Sequence, residues 1–98
     1  MNKQQVIDKL NIMYAFLEKD DFIWARKILY DIRDAVGVMG TIHLPVNILI
    51  DAVNEIMKLK HNYLERQDTN QRLLVTASCC VAVHIGVIEA TIKLIKDL

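Results

Sequence analysis

The chain has 98 residues, enough for one hydrophobic core and too few for a catalytic domain joined to a separate regulatory one, so a single domain over residues 1–98 is expected. Hydrophobic residues make up 53%, a figure unchanged if the three Gly replace the three Tyr, against about 45–50% in an average globular chain. Twelve basic and twelve acidic side chains cancel, which removes the long-range field that draws a protein to nucleic acid or to an anionic bilayer.

Residues 3–17 put Val6, Leu10, Met13, Tyr14 and Leu17 on one face at the spacing of an amphipathic helix. The polar run Glu18-Lys19-Asp20-Asp21 stops it. Asp20 or Asp21 then suits the start of a second helix, where a carboxylate accepts hydrogen bonds from free amides and meets the positive end of the dipole. That helix is expected to reach Val36, with Ala25, Ile28, Leu29, Ile32 and Val36 inward, Arg26 and Arg33 elsewhere, and Gly37 as its stop. The stretch Phe16-Leu17-Glu18-Lys19-Asp20-Asp21-Phe22-Ile23-Trp24-Ala25 resembles the turn of one tetratricopeptide unit, with its aromatic and its small alanine. The resemblance implies helix–turn–helix packing, and nothing about peptide binding is taken from it.

Residues 37–44 carry no charge and no clear period, and read as an apolar connection. Pro45 suits the first turn of a third helix, expected from Val46 to about Arg66. Leu49, Val53, Ile56 and Tyr63 form one stripe on it and Val46, Ile50, Met57 and Leu64 a second, so the face is broad enough to touch two neighbours. Asp68 followed three positions later by Gln71 resembles a capping box, with Asp in place of Ser or Thr, and opens a fourth helix. Leu73 to Ile88 of that helix carry no formal charge, a run shorter than the about 20 residues needed to cross a bilayer. The fold class expected is all-α, a small four-helix bundle, antiparallel or irregular, with a central, apolar C-terminal helix. Cys79 and Cys80 are expected to be reduced and mostly buried in it.

Residues that carry chemistry are sparse. Cys80 and His84 share a face, as do His61 and Glu65, but a hairpin about Asp68 sets the two pairs at different levels, so no metal site is expected. The cysteines lie in an apolar run where His84 alone offers a cation, a poor setting for a thiolate nucleophile. The carboxylate pairs Asp51/Glu55 and Asp31/Asp34 sit among other polar groups, and Gly37 and Gly40 lack the flanks of a phosphate loop. No enzyme and no cofactor is expected.

What remains is contact: a non-enzymatic protein–protein interaction module, an adaptor, regulator or inhibitor, acting as a homo-oligomer. Trp24 and the apolar Val38, Met39 and Ile42 are the candidate contacts for an unidentified protein partner. Ser78, Ala82 and Gly86 recur every four residues as a narrow groove flanked by Val75, Cys79 and Val83, the candidate interface of a homodimer or higher oligomer. The alternative is a small-ligand or nucleotide-sequestering protein with a site between protomers near Tyr63, Arg66 and Arg72. Neither nucleic acid nor a membrane is expected as a partner. Two adjacent cysteines and a charged N-terminal segment fit the cytoplasm.

Overall fold

The computed structural model describes residues 2–37, 40–64 and 71–98. Helix α1, Lys3–Glu18, opens on Asn2, whose side chain accepts from the Gln5 amide while the Gln5 side chain accepts from the Asn2 amide. This reciprocal cap satisfies two donors that the first turn leaves without helical partners. Val6, Leu10 and Met13 are fully buried, the face that the spacing predicts. Asp20 adopts a left-handed backbone (φ 60°) in the turn, and Asp21 caps helix α2, Phe22–Val36, by accepting from the Trp24 amide at 3.3 Å. Ala25, Leu29 and Ile32 of α2 are buried, and the Phe16 and Trp24 rings stack across the turn with centroids 6.4 Å apart. Gly37 ends α2 at φ 70°, a conformation that strains any residue with a Cβ.

Helix α3, His43–Leu59, begins three residues before the expected Val46, with Pro45 still inside its first turn. Its α-helical pattern stops short of the expected end near Arg66, because Lys60–Leu64 form a π-helical turn. The wider turn shifts the register by a residue, a change that side-chain periodicity alone does not reveal. Val46, Leu49, Val53 and Ile56 are fully buried, with Ile50 and Ala52 nearly so. Buried residues thus come from both predicted stripes, and α3 packs against both α2 and the last helix, α4, Gln71–Asp97. The expected cap at Asp68 lies outside the described residues.

The class is the expected one, a small all-α four-helix bundle, with no strand among the described residues. The place of α4 is not. It was expected at the centre, yet α3 is the most buried helix and α4 lies at the periphery, with only 17% of its most apolar eighteen-residue stretch buried. The reason is topological: α3 has a well-packed neighbour on each side, whereas α4 packs on α3 and the π turn and meets α1 only marginally. Cys79 is accordingly exposed and Cys80 half-buried, both as free thiols, which corrects the expected burial. The radius of gyration is 14.4 Å, above the about 13 Å of a compact domain this long, and the longest dimension is 47 Å. Helix α4, about 40 Å at the helical rise, accounts for most of that length.

Candidate functional site

Helix α4 buries one side only. Val81, Ile88 and Ile95, seven residues apart, face the core together with Ile92, and Ala77 is buried on the same side. Thr91 is also buried, and its hydroxyl donates to the Val87 carbonyl at 2.7 Å, so no polar group is stranded there. The opposite side faces solvent. Val75 and Val83 are 63% and 64% exposed, and Ser78, Cys79, Ala82 and Gly86 are exposed beside them. The six residues singled out as an interface from the sequence thus share the uncovered side, where Leu74, Val75, Ser78, Cys79 and Ala82 line a shallow depression. A Cβ built at Gly86 meets nothing within 4 Å, so the glycine is not required by packing within the chain.

One polar tie crosses from α1 to α4. The Tyr14 hydroxyl donates to Glu89 Oε1 at 2.6 Å, which raises the Tyr14 pKa, since ionisation would break that bond; partial burial and the charges of Glu89 and Glu18 add to the shift. Beside this clasp the edge between the two helices stays open as a narrow apolar cleft lined in part by Leu17, Phe22, Val81 and Ile85.

The other candidates are dispersed. Trp24 is half-exposed near the start of α2, with Lys27 Nζ 4.8 Å from its ring centroid, while Ile42 is half-buried beyond the far end of that helix. Trp24 to Val36 alone spans about 18 Å along the axis, so Trp24 and Ile42 form no common patch. Val38 and Met39 lie outside the described residues. Of the ligand candidates, Tyr63 is half-buried in the π turn and Arg72 is exposed in the first turn of α4, while Arg66 lies outside the described residues. The depression beside Arg72 is lined by Gln71, Val75 and Thr76 of the same helix and does not include Tyr63.

A hollow that sequence reasoning missed lies where the α1–α2 turn meets the end of α3, with Asp20, Asp21, Phe22, Met57, Lys60 and His61 among its walls. Lys60 Nζ binds Asp20 Oδ1 at 3.0 Å and lies 4.8 Å from the Phe22 ring centroid. Lys58 also lines it, so the two lysines offset the two carboxylates, and Lys60 is already paired with Asp20; the hollow carries no net positive charge from these four groups to hold an anion. No local signal marks the hollow, because Asp20 and Lys60 are 40 positions apart. Near the other histidine of interest, His84 Nδ1 hydrogen-bonds the Cys80 carbonyl at 2.7 Å, an ordinary contact within one helix. The chain matches no family model, and no curated protein or solved structure is significantly similar to it.

Proposed function

We propose that the protein is a non-enzymatic interaction module that self-associates through the uncovered side of α4 and acts by occupying surface, as an adaptor, regulator or inhibitor. The observation that carries this reading is a folded bundle with an apolar helix side left in solvent. From Leu73 to Ile88 that helix has no formal charge, and Val75, Val83 and Val87 stand exposed along it. Contiguous apolar surface of this kind is costly in water and marks contact sites. A symmetric partner presenting the same strip is the commonest way to cover it. The test is light scattering of the wild type and of Val83→Glu. We expect a concentration-dependent dimer for the former and a folded monomer for the latter, because Val83 makes too little contact within the chain for its loss to unfold it. A wild type that stays monomeric at several hundred micromolar, or a Val83→Glu variant that still dimerises, contradicts the reading.

Lipid is the second reading, favoured by one specific fact: α4 is long and apolar enough, by length and composition alone, to cross a membrane. Two features weigh towards protein. The buried side of α4 is committed to α3, whose Asp51, Glu55 and Lys58 are exposed and would accompany it into a bilayer at considerable cost. Glu89, a charged residue of α4 itself, is tied to Tyr14 of α1. Co-flotation with neutral vesicles decides between them, and recovery of the protein with the lipid favours the second reading.

A further inference from the structure

We propose that α4 pairs with α4 of a second copy in the antiparallel sense, about a two-fold axis level with His84 and Ile85; the proposal rests on the self-association reading above. The exposed side of the helix has a period of its own. Thr76, Cys79, Val83, Gly86 and Ala90 follow one another in alternating steps of three and four, the 3.5-residue repeat of a coiled-coil seam, and all five are exposed. In the same repeat Val81, Ile88 and Ile95 fall on the opposite side, where they bury against the core. One helix therefore carries two seams, one used within the chain and the other facing solvent. Followed outward, the second seam reaches Arg72 at one end and Lys93 and Asp97 at the other.

Charge and side-chain size fix the orientation. In a parallel pair each seam residue meets its own copy: Lys93 faces Lys93, and a Gly86 pair leaves a void beside a crowded Val83 pair. The antiparallel pair sets Val83 against the partner's Gly86 and Cys79 against the partner's Ala90, so each layer joins a larger side chain to a smaller one. Arg72 then comes level with the partner's Asp97, and the two helix dipoles oppose each other favourably. Along one flank, Leu73 meets the partner's Leu94 and Cys80 meets the partner's Val87, which covers three of the exposed large apolar side chains. The strip from Leu73 to Leu94 is about 32 Å long and about 10–12 Å wide. With side-chain relief it buries roughly 1,000 Å² over both copies, below the about 1,200–2,000 Å² of stable specific interfaces and within the range of weak ones, so a weak, concentration-dependent dimer is expected.

Disulfide trapping in the full chain tests the orientation, with copper phenanthroline and dioxygen as the oxidant. In Cys80→Ser only Cys79 remains, and antiparallel pairing holds the two copies of Cys79 eleven positions apart in level, about 16 Å. No covalent dimer is expected. Cys80→Ser/Ala90→Cys is expected to form one rapidly, linking Cys79 to the new thiol of the partner, and Cys79→Ser/Cys80→Ser/Ala90→Cys to form none. Rapid cross-linking of Cys80→Ser alone overturns the antiparallel arrangement centred on His84 and Ile85. Failure of the Cys80→Ser/Ala90→Cys variant to cross-link, while light scattering still shows a dimer, overturns this seam and leaves self-association standing. A monomer at every concentration removes the reading on which the proposal rests.

Discussion

Ala25 has no exposed surface and belongs to the hydrophobic core, whereas its neighbour Arg26 lies partly at the surface and donates to Asn54 Oδ1 of α3 at 3.2 Å. Ala25→Glu buries an unpaired carboxylate in that core and should cost about 3 kcal/mol or more. Arg26→Glu loses one partly exposed hydrogen bond, at a cost of about 1 kcal/mol. Denaturant midpoints measure both, and similar values for the two variants contradict the assigned face of α2. Tyr14 offers a second test at this scale. Its hydroxyl is held protonated by the bond to Glu89, so its pKa in the native state lies above the unfolded value of 10.0. The stabilisation it provides is then complete below pH 10.0 and is lost as pH rises through the raised native value. In a spectroscopic titration of the native protein the transition lost in Tyr14→Phe should lie above pH 10.0. Loss of an ordinary transition near pH 10.0 instead contradicts the clasp.

Among the elements, α1 and α2 were the most legible. Their apolar positions recur at helical spacing, an aspartate supplies the cap between them, and Gly37 supplies the stop, so local physics and tertiary packing agree. Helix α3 was legible as a doubly packed helix, but its π turn was not, since nothing in the residue types of Lys60–Leu64 marks a widened register. Helix α4 was legible in kind and misplaced in space. An apolar composition says that a helix needs covering and not by what, and the run Leu73 to Ile88 reads the same whether its cover is α3 or another molecule. The six interface candidates were found because small and branched residues recur along one side, while the 3.5-residue seam became visible only once Val81, Ile88 and Ile95 were known to face inward. Gly86 separates the two demands on this element. With open space around its Cβ position, Gly86→Ala should raise the stability of the isolated fold by about 0.5–1 kcal/mol through helix propensity. It should at the same time weaken dimerisation, because the added methyl occupies the place taken by the partner's Val83. Thermal melts at low concentration and light scattering at high concentration read the two effects, and a variant that gains both stability and affinity contradicts close approach at this position.

For the whole molecule, the elongated shape and the open side of α4 describe a chain whose apolar surface is incompletely covered, consistent with the limited burial that a chain of this size achieves. Cancelled charge leaves no long-range attraction to a polyanion. The central claim is that the side of α4 exposed in the protomer becomes covered by association, and Cys79 is a native reporter in the middle of it. The most direct measurement is the rate of Cys79 modification by a bulky thiol reagent in the Cys80→Ser variant, as a function of protein concentration. Labelling should be rapid below a micromolar and at least about tenfold slower at several hundred micromolar, following the occupancy of the dimer measured by light scattering. A rate that stays rapid and constant across that range, while the protein is seen to associate, means that the contact lies elsewhere and contradicts the account.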